Sequence, residues 1–170
     1  MIPIQMVHGV GRAKNVVQDY LIHKLLFPKI YLDTEFNGIK VDVLAIDRAG
    51  AGDVHAVNIV YQGTDVESAL EVVAANVGTP PAKIVPHFIY AAVVNNGPGA
   101  SRFVPSDQII QKSLAEDGVG RMGILYVDLT EDDPEVRVLL KAERFRSSKE
   151  IVELADRYVA EHLPNWEFRE

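Results

Sequence analysis

Carboxylate, amide and ammonium side chains interrupt two apolar segments in the first half of the chain. Asp42 lies inside the run GIKVDVLAID, and Lys40 precedes it by two residues. Because side chains alternate across a β-strand, Lys40 and Asp42 share one face if this run is extended. Asn58 lies in the next apolar run, HAVNIVYQ. Carboxylates that converge on one face of a sheet could hold Mg²⁺, and a nearby lysine could position or deprotonate a water molecule.

The same alternation divides the second run between two faces. His55, Val57 and Ile59 point one way, and the opposite face carries Ala56, Asn58, Val60 and Gln62. Asn58 therefore has Val60 as its neighbour on one face. An amide is a poor magnesium ligand and a valine has no proton chemistry to offer, so this strand lacks what metal-dependent hydrolysis needs.

Helices and strands must position these residues, and the spacing of apolar residues, turns and capping residues predicts where they lie. The predicted elements, in chain order, are a helix over 12–26, strands over 29–35, 39–47 and 54–62, a helix over 64–78, a buried strand within 82–94, a helix over 106–115, a hairpin of strands 122–129 and 136–145, and a helix from 147 to 164. The prediction is one α/β domain spanning residues 1–170, with helices packed on a mixed sheet.

The order helix, three-stranded meander, helix and buried strand resembles the core of the PD-(D/E)xK nucleases, the superfamily of restriction enzymes and Holliday-junction resolvases. The resemblance covers residues 12–94, and residues 95–170 form an extension with a C-terminal β-hairpin. The segment around Asp42 looks like the first motif of the family. The run HAVNIVYQ looks like the second motif, in which the family places an acid, one residue and a lysine. The resemblance implies a restriction-endonuclease-like fold with an α-β-β-β-α-β core.

The resemblance also implies a degenerate site. Asn58 falls at the acid position and Val60 at the lysine position, and a glutamate that many relatives supply from the first helix corresponds to Gln18 or its neighbour Asp19. These replacements remove charge while nearly preserving shape, as expected of an inactive descendant that needs no cofactor. We expect a partly buried polar pocket without a metal ion, and the remnant site is predicted to comprise Asp42, Asn58, Gln18 and Lys40. The implied role is a binding, regulatory or assembly module.

A second hypothesis keeps the enzyme, as a Mg²⁺-dependent DNA nuclease with rearranged residues. Its lysine would be the displaced Lys40, and its metal ligands would be Asp42, Asp19 and Glu35. Without a second acid on the third strand, however, the metal would keep few protein ligands. A third hypothesis is an unrelated α/β domain with the same order of elements. The sequence leaves these alternatives open.

Composition limits the partners. The chain carries a net charge of −7 and has no cysteine, so disulfides and thiolate metal sites are excluded. A negative balance disfavours nucleic acid as a partner. The start lacks the features of a secretion signal, and the longest apolar run, residues 88–94, is too short to cross a bilayer. We therefore expect a cytoplasmic protein with no membrane association; family habit implies a homodimer, and the sequence names no protein partner.

Overall fold

The computed structural model describes residues 4–36, 39–46, 53–61, 86–95, 121–130, 134–144, 150–164 and 166–167. The elements, in chain order, are α1 (Ile4–His23), β1 (Lys29–Phe36), β2 (Ile39–Ile46), β3 (Val54–Tyr61), β4 (Phe88–Asn95), β5 (Gly123–Asp128), β6 (Val136–Leu140), α2 (Glu150–Glu161) and β7 (Trp166–Glu167). The helices predicted over 64–78 and 106–115 lie outside the described residues.

The seven described strands form one mixed sheet in the order β6-β5-β4-β3-β2-β1-β7. β1, β2 and β3 are an antiparallel meander, and few residues of the chain separate them. β4 is parallel to β3, and β5 is parallel to β4. β6 and the two-residue β7 are antiparallel to their neighbours. The predicted α/β class, mixed sheet and meander are therefore confirmed.

Helices cover both faces of the meander. The apolar side of α1, with Ala13, Val17 and Leu21, packs against one face of the sheet, here called the α1 face. Ile151, Ala155 and Tyr158 of α2 pack against the opposite face, called the α2 face. Full burial of each large aliphatic side chain contributes roughly 1.5–3 kcal/mol, so these two layers fix the sheet between the helices.

The limits of α1 differ from the predicted ones. The helix begins at Ile4 rather than at residue 12, so Gly9 and Gly11 lie within it. Glycine lowers helix propensity but keeps its hydrogen-bond donor, so these two residues do not interrupt the helix. At the other end, the N–H of Phe27 donates to the carbonyl of Leu21 at 3.0 Å. This turn holds Leu26 in a left-handed conformation with φ of 58°.

Strict alternation of side chains fails in β2 at Asp42. Val43 belongs to the α1-face core and Leu44 to the α2-face core. Val41 should share the α1 face with Val43, yet it packs in the α2-face core. The strand therefore changes face at Asp42.

A matching change occurs in the neighbouring strand, β1. Leu32 packs on the α1-face core, whereas Phe36, which alternation would place on that face, packs on the α2 face. Thr34 likewise contacts the hydroxyl of Tyr158 on α2. Between them, Asp33 has φ of 50°, a left-handed conformation that aspartate tolerates better than most residues. Because both strands shift together, the pairing register is the same before and after Asp33 and Asp42.

Candidate functional site

The candidate site lies where the ladder between β2 and β3 ends. Val43 and Val57 form the last regular pair on this side. Beyond it, the N–H of Ile59 donates to Oδ2 of Asp42 at 2.7 Å. The N–H of Asp42 donates to Oδ1 of Asn58 at 3.4 Å, a longer and weaker contact. Two side chains thus replace backbone acceptors, and they bridge the strands where the main chains separate.

Tyr61 is a neighbour of this bridge. Burial, and secondarily the negative charge of Asp42, raise the pKa of the Tyr61 phenol above its ordinary value. The phenol therefore stays protonated at neutral pH and can act as a hydrogen-bond donor. Sequence reasoning missed Tyr61, because an aromatic residue at the end of an apolar strand indicates packing rather than chemistry.

Gln18 projects from α1, four residues after Lys14 and therefore on the same side of the helix. The Lys14 ammonium forms an ion pair with Asp33, the residue at the face change of β1. Oε1 of Gln18 is buried and has no hydrogen-bond partner within the described ranges. The structure therefore brings Asp42 and Asn58 together, but no hydrogen bond among the described residues joins Gln18 to either of them.

The residues of the alternative nuclease site divide between two recesses. A recess of about 250 Å³ at the β1–β2 hairpin is lined by Asp33, Thr34, Glu35, Lys40, Val41 and Asp42. Glu35 and Lys40 are direct partners across these strands. Asp19 instead lines a recess of about 620 Å³ between α1 and the start of β6. The proposed ligand set of Asp42, Asp19 and Glu35 is therefore not gathered in one recess.

The described carboxylates do not fit a magnesium ion. Within the part of the chain that the structure describes, no three His, Asp or Glu side chains are placed to hold a metal. Mg²⁺ requires near-octahedral oxygen ligands, usually with one or two carboxylates converging on it. At the bridge, one oxygen of Asp42 and the only side-chain oxygen of Asn58 already accept backbone hydrogen bonds.

A second polar cluster lies at the opposite end of the sheet, where β3 and β4 begin. Arg144 donates two hydrogen bonds to Asp53, at 3.3 and 3.2 Å. The N–H of Val54 donates to Nδ1 of buried His87 at 2.9 Å. Since Nδ1 is an acceptor there, its 3.7 Å separation from Asp53 is proximity and not a hydrogen bond.

Partial burial acts to raise the pKa of Asp53, but the hydrogen bonds and the positive charge of Arg144 outweigh it. The pKa of Asp53 is therefore below its ordinary value. His55 itself is packed between aromatic rings, 4.5 Å from Phe27 and 4.5 Å from Phe88. Sequence reasoning missed this cluster. It joins β3, β4 and the segment after β6, and its contacts serve to hold these elements together.

No model of a known protein family matches the chain, and comparison with the curated proteins finds no relative. The fold and the site therefore define only the structural class of the protein. It is an α/β domain with a mixed sheet and a polar bridge where the pairing of β2 with β3 ends. Neither described helix is both long and apolar enough to cross a membrane.

Proposed function

We propose that this chain is a cytoplasmic, restriction-endonuclease-like domain that has lost metal-dependent cleavage and acts as a binding, regulatory or assembly module in the form of a homodimer. One observation carries the loss of cleavage. The Asp42 carboxylate and the Asn58 amide accept backbone hydrogen bonds between β2 and β3. A residue used in this way stabilises the sheet instead of presenting its oxygens to a cation.

The topology supports the proposed family. An antiparallel meander of three strands followed by a strand parallel to the third agrees with the order of elements on which the resemblance is based. α1 precedes the meander and packs on one of its faces, as a nuclease core requires. Asp42 and Asn58, at the two acid positions of the expected motifs, are in contact across adjacent strands.

The lysine position of the second motif also supports the loss of cleavage. Val60, which takes the lysine position of the resemblance, is only 5 % exposed. Its hydrocarbon side chain belongs to the packed interior and can neither position an attacking water molecule nor accept a proton from it. With Asn58 in place of an acid, the bridge keeps a single negative charge, that of Asp42.

Restoring the missing acid tests this proposal. We expect wild-type protein to leave supercoiled plasmid intact in Mg²⁺ and in Mn²⁺. Asn58→Asp should place two carboxylates together, so that Mn²⁺ raises the melting temperature of this variant by several degrees and leaves the wild type unchanged. Adding Asp42→Ala should abolish the response. Asn58→Ser is the matched control, because it removes the amide without adding charge.

Two results decide the matter. Metal-dependent nicking by the wild type that Asp42→Ala abolishes would overturn the inactive assignment. An Asn58→Asp variant that melts identically with and without Mn²⁺ would overturn the family assignment, since the two positions would then not be the remains of a metal site.

One observation favours the second candidate, a Mg²⁺-dependent DNA nuclease. Glu35, Lys40 and Asp42 line the same small recess, so an acid pair and a lysine lie around one space. If this is the active site, Lys40→Ala should abolish nicking while leaving the fold intact. The net charge of −7 and the hydrogen bond to Asp42 make it the weaker candidate.

A further inference from the structure

β6 is an exposed edge of the sheet. It is the first strand in the sheet order, and among the described strands only β5 pairs with it. Val138 is 52 % exposed, and the side chains of Glu135 and Arg137 are 72 % and 57 % exposed. An open edge offers unpaired backbone groups to another strand, so it requires either protection or a partner.

The hydrogen bonds beside β6 show which backbone groups point outward. Arg121 and Glu143 exchange two backbone hydrogen bonds, at 3.3 and 2.9 Å, and are therefore a hydrogen-bonded pair. Along a strand, the backbone N–H and C=O of successive residues point alternately toward one neighbouring strand and the other. Counting from Arg121, Val127 therefore directs its backbone groups toward β6. Its partner Val136 then directs its N–H and C=O toward β5. Glu135 and Arg137, one residue to either side, direct theirs away from the sheet.

This edge is complementary to itself. We propose that β6 pairs antiparallel with β6 of a second copy of this chain, about a two-fold axis at Val136. In that register Glu135 lies opposite the partner's Arg137, and Arg137 lies opposite the partner's Glu135. These residues carry the outward backbone groups, so they form the hydrogen-bonded pairs of the new ladder. The residues that form the backbone hydrogen bonds of the new ladder therefore also form two ion pairs between the copies.

In the same register, the apolar side of β6 lies against the apolar side of the partner's β6. Val136 packs against the α1-face core, and Pro134 and Val136 line the recess of about 620 Å³ beside Val16 and Tyr20. The two-fold axis places the partner's Val138 opposite Pro134, at that recess. The exposed valine of each copy is thus covered by the apolar lining of the other.

The shape of β6 favours a closed dimer over open-ended pairing. The ladder with β5 has an irregularity where Leu125 pairs with Val138 and Ile124 pairs with Leu140, so one extra residue of β6 bulges there. Pro134, which has no N–H, bounds the other side of the matched segment. Regular pairing is confined to residues 134–138, which fits a second copy of the same short segment. An interface of this size gives a weak dimer, with Kd on the order of micromolar.

Reversing the charges of Glu135 and Arg137 tests the proposed β6–β6 interface. Sedimentation equilibrium over a concentration series should show a monomer–dimer equilibrium for the wild type. Arg137→Glu should raise Kd at least about tenfold, because it sets like charges opposite each other, and Glu135→Arg should do the same. The double variant Glu135→Arg/Arg137→Glu should restore Kd to within about threefold of the wild type, because two matched pairs are formed again. Arg157→Glu on the exposed side of α2 is the matched control and should change nothing.

Amide hydrogen exchange gives a second readout that a merely structural effect would not move. Exchange at Glu135 and Arg137 should slow as protein concentration rises, whereas Val136, bonded to β5, should be protected at every concentration. This inference rests on the homodimer of the proposed function and is independent of the loss of metal binding. A monomer at all concentrations would overturn both the dimer and the surface. A dimer whose Kd neither single variant alters would overturn the surface alone.

Discussion

Replacing Asp42 by asparagine has opposite effects on stability for a strand bridge and for a metal ligand. Asp42→Asn keeps the size of the side chain and keeps an oxygen that can accept the N–H of Ile59, but it removes the charge. If Asp42 bridges the strands, the variant weakens a hydrogen bond and lowers the free energy of unfolding. If Asp42 belongs to a cluster of repelling ligands, loss of its charge stabilises the metal-free protein.

The magnitude follows from the hydrogen bond between Ile59 N and Asp42 Oδ2, which is 2.7 Å long. A hydrogen bond to a charged acceptor contributes roughly 1.5–3 kcal/mol and one to a neutral acceptor roughly 0.5–1.5 kcal/mol. Because Asp42 is half-buried, the lower ends apply, and Asp42→Asn should cost about 1 kcal/mol. Asp42→Ala also leaves the N–H of Ile59 without its acceptor, so it should cost about 2 kcal/mol.

Urea unfolding, followed by circular dichroism, measures both variants in buffer containing a chelator. The midpoint should fall in the order wild type, Asp42→Asn, Asp42→Ala, with an unchanged slope. Asp156→Asn, at an exposed position on α2, is the control and should lie within about 0.5 kcal/mol of the wild type. A midpoint for Asp42→Asn above that of the wild type would refute the strand-bridge reasoning.

Three further predictions concern stability. Gly123→Ala would place its methyl group 2.8 Å from the Cβ of Ala142, so it should lower the free energy of unfolding by about 1–3 kcal/mol; an unchanged urea midpoint would contradict the packing at β5. Leu26→Gly should stabilise the protein by up to about 1 kcal/mol, because Leu26 is 76 % exposed and has φ of 58°; a lower melting temperature would refute this. The lowered pKa of Asp53 contributes stability that is present above the ordinary value of 3.8 and is lost as pH falls through the lower pKa of the folded state. Arg144→Gln should therefore destabilise the protein at pH 7 and progressively less below pH 3.8; a difference in unfolding free energy that is independent of pH would contradict the ion pair.

Local patterns in the sequence predicted the order of the described elements from α1 to α2, because turns, capping residues and apolar periodicity act over a few residues. They did not predict the two-residue β7, which pairs with the distant β1. The two faces of β3 are confirmed for its described core residues: Val57 and Ile59 pack on the α1 face, and Ala56 packs on the α2 face. That strand is regular, so the period of two is enough to assign them.

The same rule failed in the first two strands. The face change occurs between the pairs Leu32–Val43 and Thr34–Val41, and Lys14, 19 residues before Asp33 in the chain, contacts Asp33 at this point. No local pattern indicates such an irregularity, because it depends on strand pairing and on packing from α1. The pair of Asp53 and Arg144, 91 residues apart, was missed for the same reason. The sequence predicted which residues belong to the candidate site, Asp42 and Asn58. It did not predict that their side-chain oxygens accept backbone hydrogen bonds between β2 and β3.

Metal titration calorimetry on the purified wild type tests the central claim most directly. If Asp42 and Asn58 are a bridge between β2 and β3, Mg²⁺ and Mn²⁺ should give only the heat of dilution at protein concentrations near 100 μM, roughly the level needed to detect a weak site. A saturable one-site heat that disappears in Asp42→Ala would contradict the account, because a cation would then be held by the residue assigned to the strands.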